Sequence, residues 1–305
     1  MNNKENKSTE FQLPDGIKIG HAQNNKTGVT VILSESGAVG GVSVRGCAPG
    51  TRETDLLKNE KTIDKIHAVV LSGGSAYGLS SCDGVMEFLR DCGHGFSIND
   101  IVVPIVCGAV VFDLNHAEYV FPDKTMGYIA SKNAEAVSKK RGQVGAGVGA
   151  TTGKILGKDN SSKGGVGVST IRIGSVFVSV ITVVNAFGDV ICPKTGKVLS
   201  GAKLPNGKFL DTNDFILKGN IPNLMKGVNT TISCIMTNAR LTKVQANKLA
   251  DIAHNGFVKS ISPVHTDFDG DTIFVLSKGE EHIDFLTLST MAIEAVAQSV
   301  VDSIQ

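Results

Sequence analysis

The sequence predicts an α+β layered sandwich, two antiparallel β-sheets covered by helices. Three observations lead there. Short runs rich in β-branched residues recur between glycines. Segments with apolar residues at helical spacing stand between and after them. Hydrophobic residues make up 41% of a 305-residue chain, enough for one large domain or two modest ones with a substantial core.

Taken in order, Gly28–Ser34 (GVTVILS) and Gly40–Arg45 (GGVSVR) read as glycine-bounded strands. Asp55–Ile66 reads as a short helical or loop segment, and His67–Leu71 (HAVVL) as a buried strand. The string SGGSAYG then opens a helix in which Leu79, Cys82, Val85, Met86 and Leu89 keep helical spacing. Met126–Arg141 is a second helix. Gly165–Ile191 holds successive strands with tight turns, the mark of antiparallel pairing. Lys203–Val228, rich in Asn, Gly and Pro, reads as an exposed connection, long for a compact domain. It runs straight into a strand at Thr230–Thr237. A helix at Leu241–Asn255, a strand at Thr272–Ser277 and a helix at Ile283–Ile304 complete the chain.

Composition narrows the function. Thirty basic and 29 acidic side chains leave a net charge of +1, so no strong field draws nucleic acid or anionic lipid. Trp is absent and aromatics are 5%, which argues against stacking platforms for single strands. The six cysteines are scattered without CxxC or zinc spacing, so reduced thiols are expected. The polar start MNNKENKSTE has no apolar h-region and no run reaches 18 apolar residues. A cytoplasmic protein without a membrane partner is the expectation.

Three strings invite chemistry. The first, Gly145–Lys154 (GAGVGATTGK), is not a phosphate loop. Val148 stands where that motif needs its first glycine, and Ile155 follows Lys154 in place of Ser or Thr. Its glycines read as a close backbone turn, with Lys154 either solvated or set in a pocket. The second, LSGGSAYG, fails as a nucleophile elbow because Tyr77 occupies the required glycine position. The third, His265-Thr-Asp-Phe-Asp-Gly-Asp271, resembles the start of a calcium loop but lacks the acidic twelfth ligand. It is either a solvated turn or a set of carboxylates holding an ammonium group.

Asn229-Thr230-Thr231 lies where the exposed connection meets a buried strand. A hydroxyl there suits self-cleavage. Attack by the Thr230 hydroxyl on the Asn229 carbonyl shifts the acyl group from N to O, and hydrolysis of the ester frees Thr230 as a new N-terminus. Its α-amine, with an ordinary pKa of about 7.7–8.0, then serves as the nucleophile's own base.

Together the strings IGHA (19–22), RGCAPGTRETDLL (45–57), LSGGSAYGL (71–79), VGAGVGATTGK (144–154), VNAFGDV (184–190), NTTI (229–232) and DGDTIF (269–274) resemble the DmpA-type L-aminopeptidase/D-esterases. That family includes β-peptidyl aminopeptidases and nylon-oligomer (6-aminohexanoate-oligomer) hydrolases. The resemblance spans about residues 13–302. It implies an αββα four-layer sandwich like that of N-terminal-nucleophile hydrolases, with a distinct connectivity. It also implies a single catalytic domain, self-cleaved into a 1–229 large chain and a 230–305 small chain after the 203–228 connection.

By the same resemblance Thr230 is the nucleophile, Asn229 precedes the cut, and Asn185 stabilises the oxyanion or orients the site. Lys154, Asp269 and Asp271 match the nylon-oligomer hydrolases, whereas other branches carry Ser and Glu near the aspartate positions. The aspartates would orient Thr230 and Lys154, bind a substrate amine, or both. The implied activity is hydrolysis of small peptides, β-peptides or ω-amino-acid oligomers through a threonine acyl-enzyme, with no cofactor or metal. A homotetramer of processed heterodimers is implied as well. A metabolite- or nucleotide-binding protein and an acyltransferase of related fold are the alternatives.

Overall fold

The computed structural model describes residues 10–114, 119–138, 140–220 and 229–305. The polar start, His116, and residues 221–228 of the expected connection lie outside the described residues. The principal elements are β1 (Ile17–Gln23), β2 (Gly28–Val44), β3 (Lys65–Ser72), α1 (Ser81–Asp91), β4 (Val106–Val110) and α2 (Lys124–Lys132). They continue with β5 (Gly165–Ile173), β6 (Val176–Asn185), β7 (Thr230–Ala239), α3 (Lys243–Ser260), β8 (Thr272–Glu281) and α4 (Phe285–Asp302).

The strands follow the order β5-β6-β7-β8-β2-β3-β4, with β1 also on β2. The 17-residue β2 joins two wings. Its first half pairs with β1 and β3, and its second half with β8. Side chains alternate between layers as the pleat requires. On β3, Val69 and Leu71 enter a central core with Ile181, Cys234 and Phe274 of the other wing, so the wings lie face to face. Ala68 and Val70 point the other way, onto Val85 and Leu89 of α1. On β6, Val178 and Val180 face outward onto Leu249 and Phe257 of α3 and Val296 of α4. Three apolar cores between four layers make an αββα sandwich.

Several elements differ from the sequence reading. Two pairings are parallel, β3 with β4 and β7 with β8, because α1 and α3 carry the chain back as crossovers. Gly28–Ser34 and Gly40–Arg45 are parts of the single strand β2. Of the helix or loop expected at Asp55–Ile66 the loop is found: residues 55–64 form turns, and Lys65 and Ile66 begin β3. The buried Lys243 ammonium donates to the carbonyls of Leu56, Lys61 and Ile63 at 2.8–3.1 Å, so those oxygens are satisfied without helical bonds. Helix α2 stops at Lys132 because the chain turns at Asn133 and Glu135 pairs with Ile19; residue 139 lies outside the described residues.

The connection before β7 is partly tied down. A short helix, Thr212–Leu217, is capped by Asp211. Buried Asp189 accepts from the Thr212 N–H at 2.7 Å and from its hydroxyl at 2.9 Å. Among the described residues no helix is long and apolar enough to cross a membrane.

Candidate active site

The site forms at the junction where β6 ends and β7 begins. In the antiparallel ladder Asn185 lies opposite Thr230, and Val184 opposite Thr231. On the other side of β7, the residues leading into β8 run alongside, and Asn229 bridges Asp269 in parallel. The three neighbouring strands therefore carry Asn185, Asn229, Thr230, Asp269 and Asp271 to one place. Lys154 arrives from the glycine-rich string. Gly153 holds φ +69°, and a Cβ there would stand 2.1 Å from the Ala202 nitrogen. Only glycine fits.

Within this cluster the Thr230 hydroxyl donates to the carbonyl oxygen of Asn229, its own peptide neighbour. The Gly270 N–H donates to the same oxygen at 3.0 Å. The carbonyl carbon next to that oxygen is the atom a self-cleaving hydroxyl attacks. Gly270 comes this close because it lacks a side chain: a Cβ would lie 2.9 Å from Thr230 Oγ1 and 2.6 Å from the Ala48 carbonyl oxygen.

Lys154 Nζ donates to both the backbone oxygen and Oδ1 of Asn185, each at 2.9 Å. Oδ1 also accepts from the Thr151 N–H at 3.1 Å, and Asn185 Nδ2 donates to the Phe112 carbonyl at 3.0 Å. Asn185 is thus fixed with its oxygen towards the lysine. Burial pushes the Lys154 pKa down from 10.5 to about 7, against the opposing pull of Asp269. Near neutrality the amine exists in both forms, as a proton acceptor requires. Burial, then repulsion from Asp271, pushes Asp269 up to about 6.

The aspartates are spoken for by the protein. Asp269 accepts from the Thr266 N–H at 3.0 Å and hydroxyl at 2.6 Å, and from the Phe187 N–H at 3.4 Å. Asp271 accepts from the Thr231 N–H at 2.7 Å and from His265 at both its N–H and its ring. They are 2% and 0% exposed, so this geometry favours orientation of the site over capture of a substrate amine. Asp267 of the same string is exposed, and among the described residues no group of His, Cys, Asp and Glu is placed to hold a metal.

Three contributors went unassigned in the sequence. His265 stood inside the aspartate string with nothing to give it a role. Gly270 carries no side-chain signal, and its contribution is a main-chain N–H. Asp113 follows strand β4, which is short and went unrecognised. Its carboxylate accepts from the Gly74 N–H at 2.6 Å and the Thr27 hydroxyl at 2.7 Å. One turn amide of LSGGSAYG, the Gly74 N–H, is thus filled by the protein itself.

Comparison with known proteins gives the family. Residues 14–305 match the model of peptidase family S58. The chain belongs to peptidase family S58. As an S58 member it is a hydrolase of peptidase type. It is 39% identical over 83% of its length to an uncharacterised aminopeptidase of Mycobacterium leprae, covering 71% of that protein. It is 32% identical to the 6-aminohexanoate-oligomer endohydrolase of Paenarthrobacter ureafaciens, over 88% of this chain and 75% of that one. Among solved structures, the L-aminopeptidase D-Ala-esterase/amidase of Ochrobactrum anthropi superposes with a TM-score of 0.72 at 16% identity. That match covers 97% of this chain and 86% of the other, whose description places it as a variant of the Ntn-hydrolase fold. That likeness of fold is consistent with the αββα layering.

Proposed function

We propose that this S58 member is an amide hydrolase that activates itself by cleaving the Asn229–Thr230 bond and then uses Thr230 as an N-terminal nucleophile. The observation that carries the reading is the Thr230 hydroxyl lying against the Asn229 carbonyl while the Gly270 N–H holds that carbonyl's oxygen.

In the first step the hydroxyl oxygen adds to the Asn229 carbonyl carbon, and its proton passes to a base. Neutral Lys154, hydrogen-bonded to the Asn185 that pairs with Thr230, is the candidate. Gly270 N–H stabilises the resulting oxyanion, an effect of about 3–4 kcal/mol for a well-placed donor. Collapse breaks the C–N bond, and the nitrogen takes a proton. An ester to Thr230 Oγ1 remains, and water hydrolyses it to a 1–229 and a 230–305 chain. In turnover the same hydroxyl attacks a substrate amide, with the new α-amine or Lys154 as base. The amine product leaves, and water releases the acyl group.

For substrates, the relatives' names support short peptides and ω-amino-acid oligomers. The Thr/Lys/Asp/Asp set leans towards the 6-aminohexanoate type. A tetramer of processed heterodimers completes the proposal, testable by light scattering of the purified protein. The deciding experiment is a denaturing gel with sequencing of the small chain's N-terminus, followed by assay on aminoacyl-nitroanilides, β-peptides and 6-aminohexanoate oligomers. Two bands near three-quarters and one-quarter of the mass, with the smaller starting at Thr230, are expected. An uncut chain that hydrolyses these substrates, or a small chain starting at Thr231, would overturn the assignment.

A further inference from the structure

His265 adopts φ +57°, a left-handed conformation uncommon outside glycine and costly unless something holds it. What the conformation achieves is visible in its contacts. The His265 main-chain N–H and its ring Nδ1 converge on one oxygen of Asp271, at 3.2 and 2.8 Å. The other oxygen of Asp271 accepts from the Thr231 N–H at 2.7 Å. Asp271 is fully buried and Thr231 directly follows the candidate nucleophile. A chain of contacts therefore runs from the imidazole, through the carboxylate, to the backbone that carries Thr230.

The ring is itself held in place. His254 packs edge-on against it with centroids 4.8 Å apart, and Phe257 lies 6.2 Å away. His254 Nε2 contacts the Ser43 carbonyl at 3.1 Å, and burial keeps the His254 ring neutral, its pKa pushed down to about 4. A neutral neighbour does not repel the Nδ1–H that points at Asp271.

We propose that His265 is a positioning residue: its Nδ1–H clamps Asp271 so that the carboxylate fixes the Thr231 amide and, through it, the trajectory of the Thr230 hydroxyl. The inference rests on Thr230 being the nucleophile for self-cleavage and turnover. Without the clamp, Asp271 still accepts from Thr231 but swings about its remaining contacts, and a misplaced hydroxyl loses rate without losing affinity for substrate.

Two full-length variants separate the ring's donor from the backbone's shape. Both His265→Gly and His265→Asn tolerate a positive φ, but only Asn presents an N–H the same number of bonds from Cα as Nδ1. The expected result for His265→Gly is self-cleavage slowed about 10- to 100-fold, the size of losing one hydrogen bond to a charged group. Turnover per cleaved chain should fall in kcat by a similar factor, with KM changed less than about threefold. His265→Asn should recover most of both losses. A Gly variant as fast as the parent, or Gly and Asn variants equally slow, overturns the proposal. If Gly at this place does not give a cooperative melt, His265→Ala takes its part in the comparison. A parent chain that stays a single band refutes the self-cleavage reading instead, so the two failures are distinguishable.

Discussion

Replacing Lys154 with Met keeps the side chain's length and apolar stem while removing the amine, and it separates catalysis from stability. Two effects on stability oppose each other. The variant loses two bonds to Asn185, each 2.9 Å, at about 1.5–3 kcal/mol apiece. It also escapes the cost of burying a lysine whose pKa falls from 10.5 to about 7, which corresponds to roughly 5 kcal/mol. The two nearly cancel, so the melting temperature at pH 7 should stay within a few degrees of the parent. Activity should not. Loss of a general base costs about 10²- to 10⁴-fold, read as the first-order rate of self-cleavage on denaturing gels.

The pH dependence sharpens this. With a pKa of about 7, the acceptor form of Lys154 is about a tenth of the population at pH 6, half at pH 7 and nine-tenths at pH 8. Parental cleavage should therefore rise about fivefold from pH 6 to 7 and less than twofold from 7 to 8, and the residual rate of the Met variant should lack that rise. The folded parent binds fewer protons than the unfolded chain between about pH 7 and 10.5, because the folded pKa is the depressed one. Its stability should accordingly grow relative to the Met variant as pH rises through that window. Cleavage of the Met variant at the parental rate would refute the base assignment. A collapse in melting temperature alongside lost cleavage would reduce Lys154 to a structural role.

Thr230→Ala should leave a folded, uncut and inactive chain, whereas Thr230→Ser keeps a hydroxyl and should retain part of the cleavage; gel and melting curve read both. Asp269→Asn removes the charge that raises the Lys154 pKa, so the rising limb of cleavage should move to lower pH, and an unmoved limb would disconnect the two groups. Gly270→Ala drives a Cβ to 2.9 Å from Thr230 Oγ1 and should slow cleavage by about tenfold or more, which time-course gels would detect.

The layers were legible because strands and helices here follow apolar periodicity. β3, β7, α1 and α4 lie close to where glycine boundaries and helical spacing put them. Strand direction was not legible. Whether β7 and β8 run parallel depends on where the crossover helix α3 docks, and residues far apart in sequence decide that. Residues 55–64 show the same limit, since a lysine from α3 satisfies their carbonyls. At the site, residues with distinctive side chains in family strings came together: Lys154, Asn185, Asn229, Thr230 and the aspartates. The Gly270 N–H and the Asp113 carboxylate escaped notice because one is main chain and the other follows a strand too short to stand out.

In the proposed mechanism one cluster performs both self-cleavage and turnover, and the contacts around it suit both. The bonds around Asn229–Thr230 divide at the peptide proposed as the cleavage point. Upstream, Asn229 is held by its N–H on the Phe268 carbonyl and its oxygen on the Gly270 N–H, both main-chain contacts. Downstream, Thr231 is held by the Asp271 carboxylate, and β7 is paired on both sides with β6 and β8. In the proposed cleavage, breaking the bond leaves the downstream set intact, so the Thr230 backbone stays opposite Asn185 while its hydroxyl loses the Asn229 oxygen to which it donates. The upstream end would lose its covalent tether, and its departure would free the Gly270 N–H, now on the Asn229 oxygen, for the carbonyl oxygen of an incoming amide. The donor that stabilises the first oxyanion is then positioned to stabilise each later one. A chain whose nucleophile relied on upstream contacts for its backbone would lose its geometry on activation; here strand pairing holds the backbone, and the oxygen of an incoming amide would replace the Asn229 oxygen as the hydroxyl's acceptor.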